Sequence, residues 1–193
     1  EQAREIIAGL TGAGADCRVV FTGSGATSGL NRVVHLLGVA ERVRKGEKVR
    51  IVVGPYEHHS NLLPWRESGA EVIEVAEAEY GGPDLDALET LLVEASRYDM
   101  VVGSFSAASN VSGIVTDTDA VTALLKRHGA YAIWDFAGGA PYLPMQMEPR
   151  SECRKDAIVF SGHKFPGGPG ASGVTVLRDS IVKTTTPTMP GGG

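Results

Sequence analysis

Cysteine is scarce: only Cys17 and Cys153 occur among 193 residues. Two distant cysteines make neither a disulfide framework nor a metal-ligand pattern, and neither has the local context of a nucleophile, so free thiols in a reducing compartment are expected. An excess of positive charge is also missing. Lys and Arg number 18 against 23 Asp and Glu, a net charge of −5, which leaves no basic face for nucleic acid or an acidic membrane. No apolar run approaches the roughly 20 residues of a membrane-spanning helix. A metal site is not expected either. His58 and His59 are adjacent and do not share a helix face as i,i+4 ligands would, and no Cys or acidic cluster completes a set.

What is present is a regular alternation of strand-like and helix-like segments without internal repeats or linkers. With 42% hydrophobic residues, the 193-residue chain has enough apolar material for one substantial core and one domain. Strand-like runs fall near Arg18–Phe21, Val49–Val53, Glu71–Val75, Met100–Ser104, Ala130–Asp135, Ala157–Ser161 and Ser172–Leu177. Helical patterns cover Arg4–Leu10, Thr27–Leu37, Ser60–Ser68, Leu85–Ala95 and Thr118–His128. Such alternation predicts an α/β fold, a mostly parallel sheet between two helical layers. The tight Gly-Pro loop between Lys164 and Ser172 is too short for a parallel crossover, so the last of the seven strands should run antiparallel.

Four segments carry candidate chemistry. Lys164 follows the apolar run Val159-Phe160 and precedes Phe165-Pro166-Gly167-Gly168-Pro169-Gly170. It reads either as a solvated surface lysine or as an amine that binds a carbonyl cofactor, with Ser161 and His163 beside it. Thr22-Gly23-Ser24-Gly25-Ala26-Thr27 joins a strand to a helix start, where unpaired N–H groups and small residues suit a phosphate. The same residues also suit an ordinary helix cap. They form a poor dinucleotide fingerprint, because the third glycine, Gly29, comes one position late. Glu57-His58-His59-Ser60-Asn61 follows a strand-like run, where side chains enter the ligand crevice of α/β proteins. A flat imidazole there suits stacking on a ring; His58 is the candidate and His59 is read as structural. Asp135 ends the run Ala132-Ile133-Trp134 and precedes small residues, as a loop cap or as the carboxylate partner of a pyridine nitrogen.

These segments together resemble the large domain of class V aminotransferases, the fold-type I pyridoxal-phosphate group that includes cysteine desulfurases and selenocysteine lyases. The matching residues are Gly25-Ala26-Thr27, Glu57-His58-His59-Ser60-Asn61, Ser109-Asn110-Val111-Ser112-Gly113, Asp135 with Ala137, and Ser161-Gly162-His163-Lys164, in the family's order and from about Phe21 to the end. The resemblance implies pyridoxal 5'-phosphate as cofactor and an amino acid as substrate, in transamination or desulfurase/lyase chemistry. It implies Lys164 as the Schiff-base lysine, Asp135 as partner of the ring nitrogen, and His58 stacked on the ring. Asn110 is expected near the ring hydroxyl, with Gly25, Ala26, Thr27, Ser161 and His163 around the phosphate. One position departs from the pattern. Desulfurases usually carry a Gln three residues after the aspartate, where this chain has Gly138, which lacks that hydrogen bond to the ring hydroxyl.

The resemblance further implies that residues 1–193 are a large domain truncated at both ends, without the family's small C-terminal domain. Gly191-Gly192-Gly193 matches the start of a loop that reaches a neighbouring subunit's cofactor, so a homodimer is expected of the intact protein. A cytoplasmic location is expected, with organellar targeting left open by an N-terminus that begins at Glu1. Two other readings stand beside the leading one: a nicotinamide-dinucleotide-binding oxidoreductase domain, suggested by Gly23 and Gly25, and a catalytically silent family fragment. The first lacks an Asp or Glu at the end of the second strand, where Val53-Gly54-Pro55 stands.

Overall fold

The runs Val49–Val53, Met100–Ser106, Ala157–Ser161 and Gly173–Arg178 are buried along their whole lengths, as strands covered on both faces must be. A computed structural model, describing residues 1–187, 190 and 191, joins them to three further strands in one seven-stranded sheet. In chain order these are β1 (Cys17–Gly23), β2 (Val49–Val53), β3 (Glu71–Glu74), β4 (Met100–Ser106), β5 (Tyr131–Asp135), β6 (Ala157–Ser161) and β7 (Gly173–Arg178). The sheet order is β1-β7-β6-β5-β4-β2-β3. Strands β6, β5, β4, β2 and β3 pair in parallel, whereas β7 is antiparallel to both β1 and β6. The expected reversal of the last strand is therefore present.

Six α-helices cover the two faces among the described residues: α1 (Gln2–Leu10), α2 (Gly25–Leu36), α3 (Val39–Arg44), α4 (Leu63–Glu67), α5 (Leu85–Val93) and α6 (Thr118–Arg127). On one face Leu30 and Val33 of α2, Val39 of α3 and Trp65 of α4 pack on Ile51, Val102, Ile133 and Val159. On the other face Leu88 and Leu92 of α5 and Val121, Leu124 and Leu125 of α6 pack on Val52, Phe105, Trp134 and Ile158, with α1 alongside. The architecture is the three-layer αβα arrangement that the alternation predicts. Asp84 and Asp117 start α5 and α6, each accepting two backbone N–H bonds with its side chain.

Three local expectations are corrected. α3 is an additional helix, held by Val39 and Val43 one turn apart, and six residues are too few to leave a clear period. The single helix expected over Ser60–Ser68 is a 3-10 turn (His59–Asn61) followed by α4, because Pro64 has no N–H to continue a helix through it and serves instead in the first turn. β4 runs two residues past Ser104 to Ser106, because both hydroxyls find buried partners: Ser104 donates to Asn61 Oδ1 and Ser106 to Glu57 Oε2.

At the sheet end remote from the candidate residues, a charge network holds β7 to the segment before β1. Arg178, 2% exposed, donates to Asp16 at 2.7 Å, to Glu148 at 2.6 Å and to the Lys155 carbonyl at 2.8 Å. The Arg178 guanidinium, with help from Arg154, holds the Asp16 carboxyl well down, at about 2. A carboxyl depressed in the folded state stabilises above its unfolded value and ceases to do so as it is protonated. The Asp16 contribution should therefore be complete above about pH 4 and vanish as pH falls towards 2. Urea unfolding of Asp16→Asn is expected to show lower stability at neutral pH and a flatter loss below pH 4 than the parent chain.

Candidate active site

Strands β2, β4, β5 and β6 point their C-terminal ends the same way, and the polar residues at and beyond those ends converge, as expected of a ligand crevice in an α/β sheet. They border a cavity of about 270 Å3 together with the start of α2. Every candidate named from the sequence lines it: Gly25, Ala26, Thr27, His58, Asn110, Asp135, Ser161, His163 and Lys164. Its wall also contains Ser24, Ser60, Ser106, Ala108, Ala137 and Gly138, whereas His59 does not border it.

Asp135 is the last residue of β5 and only 4% exposed. One carboxylate oxygen accepts the Ala137 N–H at 2.7 Å, an Asx-type turn that explains the small residues that follow. Burial pushes its pKa up; the Ala137 bond and the positive charge of Lys164 partly oppose that. The other buried charges of the fold are paired: Arg50 with Glu71 and Glu94, Lys155 with Asp119, Asp156 with Lys126, and Arg178 with Asp16 and Glu148. Of these fully buried residues Asp135 alone has no ion-pair partner among the described residues; the half-buried Glu57 has none either, but its carboxyl is held by Ser106 and Asn61. A loop cap does not need to be buried without a counter-charge, so this favours a carboxylate held for a cation from outside the chain.

Lys164 ends the 3-10 turn Gly162–Lys164 that follows β6, and its amine makes no hydrogen bond or ion pair among the described residues. The His58 ring caps the next 3-10 turn along the rim: Nδ1 accepts the Ser60 N–H at 3.1 Å, which requires a lone pair on Nδ1 and leaves the proton on Nε2. Ser60 Oγ lies 3.0 Å from the same Nδ1 and 2.7 Å from Thr27 Oγ1, so a hydroxyl chain runs from α2 to the imidazole. Asn110 is presented by a turn in which Ser109 Oγ accepts the Val111 and Ser112 N–H groups at 3.2 and 3.1 Å.

At the start of α2, Ser24 forms no side-chain cap. The Ala26 N–H donates instead to Ser161 Oγ at 2.9 Å, which leaves the Ser161 hydroxyl proton free to donate into the cavity. Gly25 has φ +63°, and a Cβ there would stand 2.8 Å from His163 Cε1 and 3.0 Å from Ser161 Oγ. Only glycine fits this close-packed helix N-terminus, whose unpaired N–H groups suit an anion. The Gly23–Gly25 turn leaves β1, an edge strand paired antiparallel with β7, and so does not lie between parallel strands as a dinucleotide turn does.

The aminotransferase class-V family model matches residues 1–193. The chain belongs to the class-V aminotransferase family. It is 31% identical over 196 residues to a cysteine desulfurase of Synechococcus elongatus, covering 100% of this chain and 29% of that protein. It is likewise 31% identical to the cysteine desulfurase CsdA of Escherichia coli, with 100% of this chain and 46% of that protein covered. Among solved structures, the apo cysteine desulfurase of Thermococcus onnurineus superposes with a TM-score of 0.82 at 28% identity, over 100% of this chain and 46% of that one. The chain thus spans less than half the length of these relatives. Class-V aminotransferases and cysteine desulfurases depend on pyridoxal phosphate. The comparisons lend the dinucleotide reading no support.

Sequence reasoning left Glu57, Ser60 and Ser106 without roles. Their signal was weak: Ser60 and Glu57 stood inside a quoted motif, and Ser106 lay beyond the expected end of β4. Gly25→Ala is expected to cost about 1–2 kcal/mol through the left-handed backbone alone. The added methyl should also displace the His163 ring, seen as a shift of its imidazole NMR signals, with the remaining histidines unchanged.

Proposed function

We propose that residues 1–193 form the large, cofactor-binding domain of a pyridoxal-phosphate-dependent enzyme that acts on an amino acid, by desulfurase-type or aminotransferase chemistry, as a homodimer when full length. The observation that carries this reading is the buried Asp135 carboxylate without a counter-ion, in one cavity with the unbonded amine of Lys164. The residues fit that cofactor. A cationic pyridine nitrogen would supply the charge Asp135 lacks, and the cradle at Gly25 with the Thr27 and Ser161 hydroxyls suits a phosphate.

Pyridoxal phosphate, when bound, supplies an electron sink for negative charge developing at a substrate Cα. The chain's own residues set up the rest. Asp135, already desolvated, would hold a proton on the ring nitrogen by opposite charge and hydrogen bonding. Lys164 would hold the cofactor through its Nζ, and the same atom would carry the substrate Cα proton. His58, with its Nε2 carrying the proton and its ring fixed through Nδ1 by Ser60, covers one face of the site and helps exclude water. Asn110, which lines the cavity, would bond a ring substituent. Gly138 offers no side chain there. The glycines at 192 and 193, expected to begin a loop towards a neighbouring subunit, lie outside the described residues.

Borohydride treatment in the presence of pyridoxal phosphate, followed by peptide mapping, is expected to place a pyridoxyl label on Lys164. A label confined to Lys126, Lys155 or Lys183 would overturn the assignment. In the full-length enzyme, Asp135→Ala should lower the rate by several orders of magnitude. Breaking a buried pair costs about 3–5 kcal/mol, and each ~1.4 kcal/mol is a factor of ten. A rate within tenfold of the parent would return Asp135 to a loop-cap role.

A further inference from the structure

Beneath the cavity floor lies a second acid to which the proposed chemistry gives no task. Glu57 leaves the end of β2 and turns its carboxyl inward, where Oε1 accepts the Ser106 N–H at 2.8 Å. Oε2 lies 2.7 Å from Ser106 Oγ and 2.5 Å from Asn61 Nδ2. Room for the carboxyl depends on Gly54, where a Cβ would stand 2.7 Å from Oε1 and 3.1 Å from the Phe105 ring. The Asn61 amide cannot turn to relieve the contact, because its Oδ1 accepts from Ser104 Oγ at 2.6 Å and from Trp65 Nε1 at 3.3 Å. Ser106 stands opposite Asp135 in the β4–β5 register, and both line the cavity.

We propose that Glu57 is a positioning residue that holds one exchangeable proton under the cofactor pocket and passes its state to the pocket through the Ser106 hydroxyl and through its charge. This rests on the pyridoxal-phosphate reading above. With Glu57 ionised, Ser106 donates its hydroxyl proton inward to Oε2. With Glu57 neutral, the proton on Oε2 points at Ser106 Oγ, and the Ser106 proton turns outward, so the cavity gains a donor. The number of protons is conserved within each state; one is taken from solvent or returned to it between them. In the ionised state a second negative charge joins Asp135 and strengthens every proton held in the pocket.

The surroundings leave this proton finely balanced. Burial is the largest influence and raises the Glu57 pKa; the bonds from Asn61 and Ser106 oppose it, the charge of Asp135 adds to it, and the result is about 7. No cation bridges Glu57 among the described residues. Its hydrogen-bond partners among the described residues are Ser106 of β4 and Asn61 of the 3-10 turn; Gly54, just after β2, gives it room, and the Asp135 charge reaches it from β5. The charge of Lys164 acts on Asp135, and Tyr56, next to Glu57 in the chain, is bonded to Glu77.

Two measurements on the 193-residue chain decide the matter. Without cofactor, carbon-13 NMR of labelled glutamate should show one side-chain carboxyl titrating near pH 7, absent from Glu57→Gln and shifted upward in Ser106→Ala, which loses a donor. With pyridoxal phosphate at saturation, the visible absorption should show a pH step whose midpoint follows the Glu57 carboxyl of the loaded chain, lost in Glu57→Gln. A purely structural Glu57 would leave both profiles without that step. Absence of any glutamate titrating near neutrality, or an unchanged absorption profile in Glu57→Gln, overturns the proposal. Failure of the chain to take up pyridoxal phosphate would instead contradict the proposed function, and the carboxyl titration would still accept or reject the proton on Glu57.

Discussion

A buried carboxylate without a counter-charge is the constraint around which this structure is arranged. Desolvating an ion is costly unless it is paired or neutralised, and the fold obeys that rule at its other buried charges. Among the fully buried charged residues Asp135 is the exception, and its position explains how the exception is tolerated. It sits at the carboxyl end of a central strand, bonded to the Ala137 N–H and sharing the cavity with the positive charge of Lys164. Supplying the missing cation from a bound ring would turn a cost of folding into a gain on binding.

The scaffold makes this possible because several parallel strands end together. Buried on both faces, they are spaced by backbone ladders rather than by side chains, so residues at their ends are held rigidly. Reversal of β7 contributes too. The short loop from Lys164 to β7 returns the chain beside β6, and β7 then pairs with β1, which delivers α2 and its N-terminus to the cavity. Ser161 links the parts: as the last residue of β6 it accepts the Ala26 N–H of α2, three positions before Lys164.

Much of this was legible in the sequence because its signals are local. Strand–helix alternation and the shortness of the Lys164–Ser172 loop specify the sheet and its one reversed strand. The polar residues placed after apolar runs, from Thr27 through His58 and Asp135 to Lys164, do line a common cavity. Two kinds of feature were not legible. Short elements such as α3 and the 3-10 turn before Pro64 are set by tertiary packing and leave little periodic trace. The pairing of Glu57 with Ser106 spans 49 residues, and only the β2–β4 register brings them together. That register also buries Ser104 and Ser106, which is why β4 continues through residues that read as its end.

The central claim concerns the proton opposite Asp135, and it can be observed directly. Pyridoxal phosphate carrying nitrogen-15 in its ring, bound to the chain at a pH where the free pyridine has lost its proton, should show the chemical shift of a protonated ring nitrogen. The same ligand on Asp135→Asn should show the unprotonated shift. A ring nitrogen that is unprotonated on the parent chain, or equally protonated on both, would contradict the account.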